Sequence, residues 1–150
     1  MSEDGLLLVV LVHTAATLAM TGVIWFVQVV HYPLFFRVGA HGFADYEQQH
    51  TRRTGWVVVP LMLAEAGSAL ALAVWVFPRP LAWVGLAMLV GVWLSTFLLQ
   101  VPQHRRLAAG FDGGAHRRLV TTNWVRTALW TGRSVVALAL LEAVIRADFG

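Results

Sequence analysis

Hydrophobic residues fill four long segments of the chain, and most polar residues lie between these segments. The apolar segments are residues 6–30, 56–77, 81–101 and 119–145. Each is long enough for a bilayer-crossing helix, which needs about 20 residues. Because backbone polar groups cannot remain unpaired in lipid, we expect helices rather than isolated strands. The pattern predicts an all-α membrane protein in which residues 1–150 form a single four-transmembrane-helix bundle.

The composition supports the membrane class. Hydrophobic residues make up 58% of the 150 positions and charged residues only 13%. A typical soluble domain is about 25% charged, so this chain lacks the polar surface of a soluble protein. It contains no cysteine, which excludes disulfides, thiolate metal sites and cysteine nucleophiles. We expect a multi-pass integral protein of the bacterial inner (cytoplasmic) membrane, in contact with lipid and not with nucleic acid.

Polar residues inside the apolar segments recur at helical spacing. Steps of three, four, seven or eleven residues keep side chains on one face of a helix. Polar side chains are costly in hydrocarbon, so each stripe is expected to face protein and to give the bundle a hydrophilic interior. In chain order the stripes are His13, Thr17, Thr21, Gln28 and His31; His50, Thr54, Glu65 and Ser68; Thr96, Gln100 and His104; His116, Asn123, Arg126, Trp130 and Arg133.

The arginines indicate the orientation of the bundle. All eleven basic residues are arginine, and two lie within the fourth segment. The first and third connections carry seven, whereas the second connection and the termini carry two. Cytoplasmic loops are enriched in arginine, so the pattern predicts both termini outside. The seven are Arg37, Arg52, Arg53, Arg105, Arg106, Arg117 and Arg118; the two are Arg79 and Arg146.

The candidate catalytic residues lie toward the predicted cytoplasmic half. They are Gln28, Gln100, Asn123 and Arg126. Arg126 and Asn123 would polarise an oxygen atom of a bound substrate, and the two glutamines would orient that substrate. The same amide groups would equally serve to bridge neighbouring helices by hydrogen bonds.

Three histidines reach the same end of the bundle from three elements. His31, His50 and His104 are candidate ligands for copper, iron or zinc. His31 and His104 are also candidate cofactor-binding residues, as axial ligands of a haem. The alternative is that these imidazoles form hydrogen bonds or carry protons, with no metal or haem.

Other polar residues are assigned structural roles. Glu65 and Arg133 fall at similar depth, so they predict a buried ion pair, with proton transfer or substrate anchoring as the alternative. His13 is interpreted as a helix-contact residue, and His41 and His116 as solvated. Residues 43–53 predict a short interfacial helix before the second segment, acting as a linker or as a lid over the cavity.

The last third of the chain resembles a known family. It reads Val101-Pro102-Gln103-His104-Arg105-Arg106-Leu107, and later Asn123-Trp124-Val125-Arg126-Thr127. This is similar to the anthrone oxygenase-like family of small four-helix membrane proteins, whose pattern is approximately Val-Pro-x-Asn-x-x-Leu and then Asn-x-x-Arg-Thr. His104 stands where that family usually has asparagine. The resemblance implies oxidation of a lipophilic aromatic substrate, such as an anthrone, without a recognised cofactor motif.

Together these features predict a small membrane oxidoreductase or oxygenase-like protein. It would bind a lipophilic phenol or quinone in a polar cavity at the cytoplasmic half, with or without a His-ligated metal or haem. The alternative is a non-catalytic accessory or assembly subunit of a larger membrane complex. In that case the polar stripes would only join the helices, and a homo-oligomer or a partner protein would cover the lipid-facing surface.

Overall fold

The computed structural model describes residues 2–75 and 80–149, and every regular element within these ranges is a helix. In chain order the elements are α1 (Glu3–Phe26), a π-helical turn π1 (Val27–His31), a 3-10 segment (Tyr32–Arg37), α2 (Phe43–Trp75), α3 (Pro80–Ser95), a second π-helical turn π2 (Thr96–Gln100), α4 (Val101–Leu107) and α5 (Gly113–Phe149). α1 continues through π1 and the 3-10 segment, and α3 continues through π2 into α4, so the elements form four rods.

All four rods are long and apolar enough to cross a membrane. The qualifying stretches are Asp4–Arg37, Phe43–Trp75, Pro80–Leu107 and Gly113–Ala147. The predicted all-α, four-helix membrane bundle is therefore confirmed, and the chain is a multi-pass integral membrane protein. Its orientation with both termini outside remains a prediction.

The helices extend beyond the predicted spans, most of all at the second rod. α2 begins at Phe43, thirteen residues before the predicted start at residue 56. Hydropathy detects only the part of a helix that lipid surrounds, whereas residues 43–55 are polar and pack against other helices. The predicted end of this span at residue 77 and the turn containing Arg79 involve residues 76–79, which lie outside the described residues.

Polar faces turn inward along the bundle, as the stripes predict. Gln28, Glu65, Asn123 and Arg133 are almost completely buried, whereas large apolar side chains such as Leu8 cover the outer surface. α5 is the central rod: it packs against α1 and α3, and α1 packs in turn against α2. This inward orientation places the buried charged side chains against protein instead of lipid.

Glycine allows α3 and α5 to approach closely. A Cβ atom added at Gly132 would lie 2.6 Å from Cε of Met88, and one at Gly91 would lie 3.3 Å from Leu129. Small residues at such positions are the usual means of bringing membrane helices together. The close contact fixes the depth at which the polar residues of α5 meet those of α3.

Two π-helical turns interrupt the rods at the end of the bundle that holds the candidate residues. π1 and π2 each directly precede a segment with a proline in its first turn, Pro33 and Pro102 respectively. Proline has no backbone N–H, so it disturbs the regular hydrogen-bond ladder of the preceding turn. Such π turns are rare and are frequently found at functional sites. Here they carry Gln28 and Gln100, two of the candidate catalytic residues.

Candidate functional site

A buried ion network lies near the middle of the bundle. Nε of Arg133 donates to Oε1 of Glu65 at 2.9 Å, and both side chains are buried. Thr17 donates to the same carboxylate at 3.0 Å, and the indole of Trp130 donates to Oε2 at 3.0 Å. A further Arg133 N–H bonds the backbone carbonyl of Gly85. The predicted ion pair is confirmed, and it joins α1, α2, α3 and α5.

A second polar region surrounds a cavity toward the end that carries the π turns. This inner cavity has a volume of about 200 Å³. Apolar side chains form one part of its wall: Met20, Val23, Ile24, Val27, Val58 and Met62. Polar side chains form another part: Tyr32, His50, Thr54, Gln100, His104 and Arg126. The division suits a ligand with an apolar ring and one polar edge.

Arg126 is a buried cation on the wall of the inner cavity. Its side chain is 8% exposed, and its Nε has no hydrogen-bond partner. Within residues 2–75 and 80–149 no carboxylate forms a salt bridge with it. Its neighbours are the phenol of Tyr32 and the ring of Trp130, whose centroid lies 5.3 Å from Cζ. A buried guanidinium without a counter-ion favours a negatively charged or strongly polar oxygen beside it.

A hydrogen-bonded chain runs from a buried carboxylate to the cavity. Oε1 of Glu47 lies 2.5 Å from Nδ1 of His104, and Nε2 of the same ring lies 2.9 Å from the hydroxyl of Tyr32. Glu47 is fully buried, and its second oxygen has no partner. A carboxylate, an imidazole and a hydroxyl in series form the arrangement that general acid–base catalysis uses to move a proton.

A pair of histidines separates the inner cavity from a second, more open groove. Nε2 of His31 lies 2.8 Å from Nδ1 of His50, and the hydroxyl of Thr54 lies 3.1 Å from the same His50 nitrogen. The outer groove has a volume of about 520 Å³ and is lined by His31, Gly42, Asp45, Tyr46, Gln49, His50, Arg53 and Thr54. His50 and Thr54 therefore lie on both the groove and the inner cavity.

The four candidate catalytic residues are all buried, but they separate into two groups. Gln100 and Arg126 line the inner cavity. Asn123 instead donates to Oε1 of Gln28 at 2.9 Å, and Gln28 donates to the backbone carbonyl of Val120 at 3.1 Å. Gln28 and Asn123 therefore bridge α5 to the end of the first rod, the alternative that the sequence left open. Their catalytic role remains a prediction, and the cavity wall does not include them.

The metal and haem predictions gain no support. In the described part of the chain, no group of three or more His, Cys, Asp or Glu side chains is arranged to hold a metal ion. His31, His50 and His104 do lie at one end of the bundle, and the rings of His50 and His104 have centroids 5.7 Å apart. Both ring nitrogens of His104, however, are engaged, with Glu47 and Tyr32, and one nitrogen each of His31 and His50 is engaged in the contact between these two rings.

Sequence reasoning missed Glu47 and Tyr32. Residues 43–53 are helical as predicted, but they are continuous with α2 and bury Glu47 and His50 instead of lying at the interface. The detectable signal was spacing: Glu47, His50 and Thr54 follow steps of three and four on one helical face. His13 bonds Ser68 at 3.1 Å, which agrees with its helix-contact role.

His116 also differs from its prediction. Its Nε2 lies 2.7 Å from the backbone carbonyl of Tyr32, so it is not simply solvated. The contact holds the start of the 3-10 segment, and therefore Tyr32, against α5. His41 is exposed, as predicted.

Comparison with known proteins adds no relative. No family model, no curated protein and no solved structure matches the chain. The residues around the inner cavity are therefore the basis for inferring a function.

Proposed function

We propose that this protein is a small membrane-embedded oxidoreductase of the oxygenase type. It takes a lipophilic phenol, or a ketone in equilibrium with one, from the bilayer into the inner cavity. The observation that carries the proposal is Arg126, a buried cation on the cavity wall with a free N–H group and no carboxylate partner among the described residues. Such a group binds an oxygen that bears negative charge.

The size and lining of the inner cavity support this class of ligand. A volume of about 200 Å³ lies below the range of roughly 300–1,000 Å³ that is typical of drug-sized ligands. The cavity therefore suits one compact aromatic ring system. Met20, Ile24 and Met62 provide apolar contact for the ring faces, and Gln100 and Arg126 lie where a ring oxygen would be bound.

Proton removal is the step that the chain's own residues support best. Tyr32 faces the inner cavity and is hydrogen-bonded to His104, which is hydrogen-bonded to Glu47. A proton from the ligand would pass to this chain, and the imidazolium that forms on His104 would be stabilised by the adjacent carboxylate. The ligand anion would remain beside the guanidinium of Arg126.

Dioxygen is the oxidant that this proposal requires. An electron-rich phenolate or enolate can give electrons to dioxygen, and a new C–O bond then forms at the ring carbon. For an anthrone the balance is one CH₂ group and one O₂ giving one C=O group and one H₂O. The protein's contribution is to form and hold the anion in a site shielded from water.

The test is oxygen consumption by the purified protein with anthrone as the probe. We expect one O₂ consumed per anthraquinone formed. His104→Ala should lower turnover by about 10²–10⁴-fold, the usual contribution of a positioned acid–base group. Arg126→Met should lower it as well, because the anion loses its counter-charge. His41→Gln, at an exposed position that does not line the inner cavity, is the control.

Two results would contradict the proposal. One is anthrone oxidation at the rate of the protein-free reaction. The other is turnover that persists unchanged in both His104→Ala and Arg126→Met. An inactive protein that co-purifies with a stoichiometric membrane partner would support the accessory-subunit alternative instead.

A further inference from the structure

His50 lines both the inner cavity and the outer groove, and its imidazole has two nitrogens that can take up and release a proton. Its Nδ1 lies 2.8 Å from Nε2 of His31, which lines the outer groove and not the inner cavity. Among the described residues, no hydrogen bond involves the remaining ring nitrogen of either histidine. Each ring therefore has one nitrogen committed to the pair and one nitrogen available for exchange.

We propose that His31 and His50 form a proton path between water in the outer groove and the acid–base chain in the inner cavity. This path deepens the proposed function and rests on it, because the proton taken from the ligand must leave the protein in each turnover. Neither histidine would touch the reacting atoms. They would act by connecting Tyr32, His104 and Glu47 to solvent.

The proton balance along the path uses the two nitrogens of each ring. A proton reaches Nε2 of His50 from the inner cavity while Nδ1–H of His50 passes its proton to Nε2 of His31. Nδ1 of His31 then releases a proton to water, and the reverse sequence carries a proton inward. Each ring gains one proton and loses one, so its charge is unchanged.

One bridging molecule completes the path on the inner side. The ring centroids of His50 and His104 are 5.7 Å apart, and no direct hydrogen bond joins them. A water molecule or a ligand hydroxyl in the inner cavity would span this distance. The other ionisable groups around the pair, on the first, second and third rods, are Tyr32, Asp45, Tyr46, Glu47, Arg53 and His104.

The path can be tested on the full-length protein without any ligand. The measurement is the rate at which the ring N–H of His104 exchanges with water, observed by NMR in ¹⁵N-histidine-labelled protein in detergent micelles. In His31→Gln the glutamine amide can still form a hydrogen bond with His50. It cannot, however, accept a proton at one nitrogen and release a proton from another, as an imidazole can. We expect exchange at His104 to slow by at least about tenfold.

Added imidazole separates a proton path from a structural role. The outer groove, at about 520 Å³, has room for imidazole beside position 31. Imidazole should therefore restore fast exchange in His31→Gln, which it would not do if the substitution had merely disturbed packing. Wild-type protein and His41→Gln should exchange at the same rate, with or without imidazole.

Unchanged exchange in His31→Gln, or slowed exchange that imidazole does not restore, would overturn the path. Neither result depends on anthrone oxidation, so the path and the proposed function can fail separately. If the protein oxidises anthrone, His31→Gln should also show slower turnover, again restored by imidazole, with an unchanged KM.

Discussion

Two buried arginines on α5, Arg126 and Arg133, have different surroundings although they lie seven residues apart on the same helical face. Arg133 is paired with the carboxylate of Glu65 and bonds a backbone carbonyl of α3. Arg126 has a phenol and an indole ring beside it, but no described carboxylate, and it borders a cavity. Each has a buried guanidinium nitrogen without a hydrogen-bond partner, so the counter-ion and the cavity make the difference.

Because of this difference, we expect Arg133 to serve the stability of the bundle and Arg126 to serve ligand binding. A compensated charge such as that of Arg133 cannot be removed without leaving Glu65 buried and alone, so this network holds the helices in register. An uncompensated charge such as that of Arg126 is a cost to the folded state, which is typical of sites arranged for a ligand. Substitution of Arg133 should therefore lower stability, whereas substitution of Arg126 should lower ligand affinity.

The largest effect is expected at the compensated position. Arg133→Met leaves the carboxylate of Glu65 buried without a cation, and we expect the free energy of unfolding to fall by about 3–5 kcal/mol. Unfolding in mixed micelles measures the change. The exposed pair of Arg146 and Glu142, on the same helix, gives the control: Arg146→Met should leave stability almost unchanged. Equal stability of wild type and Arg133→Met would show that the network is not structural.

Arg126→Met should show the opposite behaviour. Stability should stay level or rise, because a buried charge without a counter-ion is removed. Affinity for 1-naphthol, measured by quenching of tryptophan fluorescence, should fall by about 10- to 100-fold, the value of a hydrogen bond to a charged group. A large loss of stability together with unchanged affinity would show that Arg126, like Arg133, serves stability and not ligand binding.

The inner cavity itself can be filled from α2. Gly55 lines it, and a Cβ atom added there would meet no atom within 4 Å. Gly55→Leu should weaken 1-naphthol binding by at least about tenfold, since the side chain occupies the ligand's space. Gly67 on the same helix has equally open surroundings but lies outside the cavity, so Gly67→Leu is the matched control.

Both leucine variants should gain up to about 1 kcal/mol of stability from better helix propensity. Binding that weakens equally in Gly55→Leu and Gly67→Leu would show that the cavity is not the binding site.

The smallest effect on stability is expected at Asp112, which caps the start of α5, the helix that carries both arginines. Its carboxylate accepts hydrogen bonds from the backbone N–H groups of Gly114 and Ala115, and these bonds lower the pKa of Asp112. A lowered pKa means that the folded state favours the ionised form. The stabilisation is therefore present above the ordinary pKa of 3.8 and is lost as the pH falls below it.

Asp112→Asn should accordingly lower the melting temperature slightly at pH 6, and the difference from wild type should shrink as the pH falls toward 3. Thermal unfolding of the two proteins across that range measures it. A difference that stays constant with pH would mean that the charge of Asp112 has no role in capping α5.

Much of the fold followed from the sequence, because periodic polar residues in apolar segments mark the buried face of each helix. The same stripes correctly indicated that Glu65, Arg133, Gln100 and Arg126 are buried. Their depth also indicated that Glu65 pairs with Arg133. Spacing did not reveal that Arg126 borders a cavity with no carboxylate partner among the described residues, since that depends on how the rods are rotated against each other.

Glu47 was missed for a different reason. It lies in a polar stretch predicted to be a short interfacial helix, whereas its burial depends on that stretch being continuous with α2 and packed against other helices. Tyr32 was missed because its position depends on π1 and the 3-10 segment, which change the direction of side chains after Gln28. Neither irregular segment leaves a periodic signal in the sequence.

The most direct test of the central claim is the absorption spectrum of 1-naphthol bound to the protein, at a pH where the free compound is not ionised. Arg126 should favour the anion, so the bound ligand in wild-type protein should show the naphtholate band, and in Arg126→Met this band should be absent. A bound ligand with the spectrum of neutral naphthol, or a naphtholate band that persists in Arg126→Met, would contradict the assignment of the inner cavity as an anion-forming site.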